Sequence, residues 1–217
     1  MNTTTSVLKH NRSPHKNFSR VRNMTGVAML SAAAYLLAFL EFPLPFSPSF
    51  AKMDFSDLPA LLAAFAYGPA SGVLVELIKN GLQLISTSTA GIGELANFVI
   101  GSSFVFPAGL IYLRRKTRGT AMLACVSGSV MMGIFAAIMN YFVLLPLFGG
   151  FMPLEQVIAS FAAFFPFIQT KLDVVLWNAL PMNLLKGVLL SVLGMLLYKP
   201  LSPVLKGKSK TPSLGGK

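Results

Sequence analysis

The stretch WNALPMNLLKG sets Asn178, Asn183 and Lys186 inside an apolar run from about Val174 to Tyr198. A spanning helix needs roughly 20 apolar residues. This run is longer, so Lys186 falls near its middle. By helical rise its ammonium is roughly 18 Å from either end, too far for comfortable snorkelling. Intramembrane ionisable groups cost about 2.5–3.5 kcal/mol each on insertion scales, so they usually have a partner or a use. Asn183 lies one turn earlier on the same face, and Pro181 between the two asparagines can loosen the backbone. Amides that both donate and accept, with one cation, suit a neutral ligand bearing several carbonyl and imide-like edges. The same residues also fit a structural role, in which Lys186 pairs with an acid on another helix, Glu94 or Glu76.

Other polar groups lie at comparable depth. Asn97 and Asn140 sit toward the outer ends of two further apolar segments, where each amide fits an interhelical hydrogen bond as well as a ligand contact. Their coincidence at one depth favours a cavity, and depth and polarity add Glu94 and Asn97 to its candidate residues. Glu76 and Lys79, three residues apart, can face each other as an ion pair. In the first apolar helix Ala28-Met-Leu-Ser-Ala32 is a small-xxx-small face open to close helix approach. The usual parts of catalysis are missing. Both histidines, His10 and His15, precede the first apolar segment, so the membrane part offers no His-based metal cluster or Ser-His pair. No G-x-x-x-x-G-K-[ST] occurs, so the chain carries no P-loop of its own. Cys125, the one cysteine, lies in an apolar helix and forms no intrachain disulfide.

The elements that must position these groups are helices in lipid. The 217 residues are 54% hydrophobic and 12% charged, with mean hydropathy +0.67; the charge is about half that of a soluble domain. Helix one runs from about Met24 to Phe42 and stops at PLPFSP. The run 58–86 is interrupted at Tyr67-Gly68-Pro69, which reads as a short helix, a tight inner turn and a returning helix. Helix four spans about 94–112 and helix five about 120–147. The segment 148–172 contains an amphipathic helix on or in the outer surface, and helix six returns to the tail. Of 18 Lys and Arg, 14 fall before helix one, in RRKTR (114–118) or in the tail, with no acid among them. The positive-inside rule puts all three clusters in the cytoplasm. The net charge of +11 is therefore read as a topology signal, not a nucleic-acid surface. The expectation is an all-α integral membrane protein with six transmembrane helices and both termini cytoplasmic. It divides into a basic extension (1–23), a six-helix membrane domain (24–200) and a basic tail (201–217), with no signal peptide and no soluble domain.

KMDFSDLPALL (52–62), ELIKNGLQLISTSTAGIGELANFVIG (76–101) and LWNALPMNLLKG (176–187) closely resemble the riboflavin-specific substrate-binding subunit of bacterial energy-coupling-factor transporters. The likeness extends from about Met24 to Pro200. It implies a non-catalytic protein of the bacterial cytoplasmic membrane that captures riboflavin from outside as transported ligand, without a cofactor. Its implied partners are a transmembrane coupling subunit and two ATPase subunits. By the same resemblance Asn140, Asn183 and Lys186 contact the flavin ring, the loop from Leu44 to Lys52 caps the site, and Ala28 and Ala32 form the docking face. Other readings of the residues are a related subunit for another vitamin or for a flavin analogue such as FMN, and a stand-alone proton-coupled carrier. The carrier would commonly show an inverted repeat, and none is found. An intramembrane enzyme or a scaffold fits less well, given the missing His and metal ligands and the buried lysine.

Overall fold

A computed structural model of the chain describes residues 14–206 except 44–46, 49–51, 88–89 and 152. The first helix, α1 (Pro14–Ala38), starts about three turns before the apolar segment expected from hydropathy. Basic and polar residues are good enough helix formers to continue it outward, so hydropathy marks only its apolar part. It ends four residues before Phe42, where a two-residue antiparallel ladder pairs β1 (Phe42–Pro43) with β2 (Lys52–Met53) in the register Phe42 to Met53.

The break expected at Tyr67-Gly68-Pro69 is present: α2 (Asp57–Tyr67) and α3 (Pro69–Gln83) meet at Gly68. Gly68 has φ +107°, a conformation that side chains rarely adopt, and Pro69 follows at the first helical position. Every residue of α2 from Asp57 to Phe65 is buried, as expected for a helix apolar on all sides. It packs against α1 and α3, and against α4 (Ile92–Arg114) and α9 (Leu180–Lys206). Its 11 residues rise about 16 Å, roughly half of a hydrocarbon core about 30 Å thick. As expected for the segment before the turn, α2 is short, and it forms a central plug.

After α4, Thr117 caps α5 (Arg118–Met139) through Thr120 N. A π-helical turn, Asn140–Leu144, then leads into α6 (Leu145–Phe151). The amphipathic segment is α7 (Leu154–Ala162), and α8 (Lys171–Val174) opens with a Thr170/Asp173 capping box. A second π turn, Val175–Ala179, joins it to α9. Both π turns end two residues before a proline, Pro146 and Pro181. A proline has no N–H and its ring clashes with the carbonyl four residues back, here Phe142 and Trp177, each at the centre of its π turn. The wider turn relieves that clash, and Leu145 N and Leu180 N bond carbonyls five residues back instead.

The two ends of the bundle differ. At one end Phe65, Tyr112 and Tyr198 stack with centroids 4.5–5.7 Å apart, next to Arg114, Arg115 and Lys199. The other end holds the β-ladder and the polar residues discussed below. Between them the sides present large exposed apolar residues, such as Phe106, Leu110, Leu123, Val126, Val192 and Leu196. A belt of this extent has no place on a soluble surface. Among the described residues three helical stretches are long and apolar enough to cross a membrane: Ile92–Arg114, Arg118–Gly150 and Lys171–Leu201.

Candidate functional site

A cavity of about 240 Å³ opens between α4, the α5–α6 rod, α7 and the α8–α9 rod, with Lys52 of β2 at its edge. Its apolar walls include Ile100, Leu144, Phe148, Phe161 and Met182, and four carboxamides enter it: Asn97, Asn140, Asn178 and Asn183. An apolar pocket with a few convergent polar groups is the usual form of a small-molecule site, and this volume lies just below the roughly 300–1,000 Å³ range of such sites. The π turns supply part of this wall, since Asn140 and Leu144 belong to the first and Asn178 and Ala179 to the second. An extra residue in a turn re-aims the side chains around it, which is why such turns recur at functional sites.

Each amide has a defined anchor. Asn140 Nδ2 donates to Ala136 O and Asn183 Nδ2 to Ala179 O, both at 2.8 Å. These back-bonds consume one N–H apiece, leaving each Oδ1 and a second N–H for the cavity. Asn178 Nδ2 donates to Ser47 Oγ at 3.1 Å, which ties Ser47 to the second π turn. Asn97 Nδ2 donates to Asn80 Oδ1 at 3.0 Å. At the edge Lys52 pairs with Glu41, with both side chains about two-fifths exposed.

Behind the cavity lies a buried ion cluster that joins α2, α3 and α9. Lys79 Nζ is 2.6 Å from Asp57 Oδ1 and 2.6 Å from Glu76 Oε2, and all three side chains are fully buried. Lys186 Nζ is 2.8 Å from Asp57 Oδ2 and 3.3 Å from Asp54 Oδ1. Asp54 also accepts from Ser56 Oγ at 2.7 Å, and Lys79 donates to Ser56 Oγ at 3.0 Å. Charges this deep persist only when paired, and Asp57, bridging two lysines from the buried N-terminus of α2, is the centre of the arrangement.

The expected site residues therefore separate. Asn97, Asn140 and Asn183 share the cavity. Lys186, one turn beyond Asn183, has its ammonium on Asp54 and Asp57. The structural pairing considered for it is present, with acids of the β2–α2 segment in place of Glu94 or Glu76. Glu94 does not line the cavity; Thr87 Oγ1 donates to its Oε2 at 2.9 Å. Leu44 lies outside the described residues. Glu76 and Lys79 form the expected pair, extended to Asp57. Ala28 and Ala32 are exposed, on a face of α1 turned about 110° from the buried stripe of Val27, Ser31, Ala34 and Ala38. Lys52, at the end of the loop expected to cap the site, stands at the cavity edge, whereas Asn178 joins the cavity wall without having been among the expected site residues. The signal for Asn178 was Pro181, whose effect on the preceding turn aims the amide inward.

A helical bundle with an apolar belt and an amide-lined cavity at one end is a membrane protein that binds a small molecule. The family model described as ECF transporter, substrate-specific component, matches residues 22–198. The chain belongs to that family. It is 34% identical over 191 residues to "Riboflavin transporter RibU" of Staphylococcus aureus (strain TCH60), covering 88% of this chain and 95% of that protein. It is 35% identical over 187 residues to "Riboflavin transporter FmnP" of Bacillus subtilis (strain 168), covering 85% and 94%. A solved structure described as the S component of a bacterial ECF transporter superposes with TM-score 0.70 at 33% identity, over 86% of this chain and 99% of the other.

Proposed function

We propose that this chain is the riboflavin-binding subunit of an ATP-driven energy-coupling-factor transporter of the bacterial cytoplasmic membrane. The supporting observation is an amide-lined cavity in a chain that aligns over nearly its whole length with two proteins named as riboflavin transporters. In this reading the cavity end faces outward and the Arg114–Arg118 end faces the cytoplasm, in keeping with the positive-inside rule. Six segments cross or enter the bilayer, with α2 short and enclosed by its neighbours, and both termini are cytoplasmic. The membrane domain covers residues 24–200, between the basic extension (1–23) and the basic tail (201–217).

The flavin ring lies between the apolar walls, and Asn97, Asn140, Asn178 and Asn183 meet its polar edges. An ammonium has three donors. Asp54 and Asp57 take two from Lys186, and the third serves a ligand carbonyl beside Asn183. The chain performs no catalysis and no ATP hydrolysis. A transmembrane coupling subunit docks on the exposed Ala28/Ala32 face, and two ATPase subunits supply the energy. The test is uptake by proteoliposomes. Purified chain alone binds riboflavin without accumulating it, and adding the three partner subunits with ATP produces accumulation. Accumulation by the chain alone would refute the proposal.

A further inference from the structure

Asn80 of α3 lies behind the cavity wall, and it is only 4% exposed. Its Nδ2 is 2.8 Å from Glu76 O and 3.3 Å from Glu76 Oε2, and its Oδ1 is 3.0 Å from Asn97 Nδ2. A backbone carbonyl only accepts, and Glu76 O is the shorter contact. The nitrogen of Asn80 must therefore face Glu76, and its oxygen must face Asn97. Asn97 must in turn present its nitrogen to Asn80, which fixes the way its amide is turned and leaves its Oδ1 and one N–H unused by Asn80. Glu76 is held in place from two sides. Lys79 fixes Oε2 at 2.6 Å, and the carboxylate rests on Gly101 of α4, where an added Cβ would stand 2.7 Å from Oε2. The sequence from Lys79 through Glu76, Asn80 and Asn97 thus sets the polarity of one wall of the cavity. An isolated asparagine could turn its amide over and offer either group.

We propose that Asn80 is a positioning residue for ligand selection: it fixes the orientation of the Asn97 amide, so that Oδ1 is held as an acceptor for a ligand N–H or O–H at one point of the α4 wall. The inference rests on the riboflavin reading and deepens it. Riboflavin carries both donor types, an imide N–H on the ring and hydroxyls on the ribityl chain. Sites that hydrogen-bond a ligand group reject analogues lacking it far better than sites that merely fit its shape. Without Asn80, Asn97 can rotate, so its oxygen need not stay unpaired against an analogue that lacks the donor, and selectivity falls more than affinity.

The test measures the affinity of the full-length protein for riboflavin, for 3-methylriboflavin, which lacks the ring N–H, and for lumiflavin, which lacks the ribityl hydroxyls. Wild type is expected to disfavour at least one analogue by tenfold or more. Asn80→Leu should shrink that ratio at least severalfold. Asn97→Leu should do the same, and Asn80→Leu added to Asn97→Leu should leave the ratio unchanged. An equal loss of affinity for all three ligands in Asn80→Leu would assign Asn80 a purely structural role and overturn the inference. Wild-type selectivity in Asn97→Leu would overturn it as well, and that variant answers even where Asn80→Leu does not fold. So would a wild type that accepts both analogues as readily as riboflavin. In all three results riboflavin binding by wild type survives, whereas its absence would refute the transport reading itself.

Discussion

Replacing Lys186 by Met preserves length and apolar volume while removing the charge that Asp54 and Asp57 share. In the intact cluster Asp57 has Lys79 on Oδ1 at 2.6 Å and Lys186 on Oδ2 at 2.8 Å, with no exposure of its own. Lys186→Met leaves Oδ2 without a cation at a depth water does not reach. Removing one partner of a buried pair costs about 3–5 kcal/mol. For a chain of this size each kcal/mol moves the melting temperature by about 2–4 °C, so ligand-free Lys186→Met should melt about 6–20 °C below wild type. Adding Asp57→Asn removes the stranded charge, so the double variant should melt above the sum of its single losses. Lys52→Met is the control: its partner Glu41 is exposed, and such pairs contribute about 0–1 kcal/mol. The assay is thermal unfolding in detergent without ligand, with riboflavin affinity measured on the same samples. If Lys186→Met melts with wild type and loses only affinity, Lys186 belongs to the ligand and not to the cluster, and the reasoning fails.

The other predictions separate site, turn and dock. Asn140→Leu or Asn183→Leu should lower riboflavin affinity about tenfold to a hundredfold, the cost of roughly 1–3 kcal/mol for an unpaired polar edge, while ligand-free melting changes little; equilibrium titration and melting check both. Pro181→Ala restores an N–H and removes the ring clash, so the second π turn should revert to α-helix and swing Asn178 by about 100°. Weaker riboflavin binding with altered amide exchange at 175–181 is the expected result. Ala28→Trp with Ala32→Trp should abolish uptake by the full complex and leave binding in detergent intact, measured by transport and titration on one preparation.

The local features of the fold were legible in the sequence because local chemistry causes them. Gly68-Pro69 can end one helix and start another within three residues, and the Glu76/Lys79 spacing guarantees that the two face each other. The amphipathic period of LEQVIASFA likewise identified α7. The ion cluster was not legible as a whole, because Lys186 and Asp54 are 132 positions apart and no pattern along the chain joins them. The break at Tyr67-Gly68-Pro69 marks α2 as short, but hydropathy could not show that it is buried on every side, since a buried plug and a lipid-facing helix share one composition. In the site, Asn140 and Asn183 stood out as amides among apolar residues, whereas Asn80 acts from behind Asn97 and appears only once α3 and α4 are packed. Pro146 is a readable signal of the same kind: with Pro181 it marks both turns that shape the cavity.

The central claim is that the cavity takes riboflavin, and calorimetric titration of the purified full-length chain tests it most directly. Riboflavin in one cell and thiamine in a parallel cell should give saturable binding of one riboflavin per chain and no measurable heat from thiamine. Absence of saturable riboflavin binding, or equal binding of the two vitamins, would contradict the account.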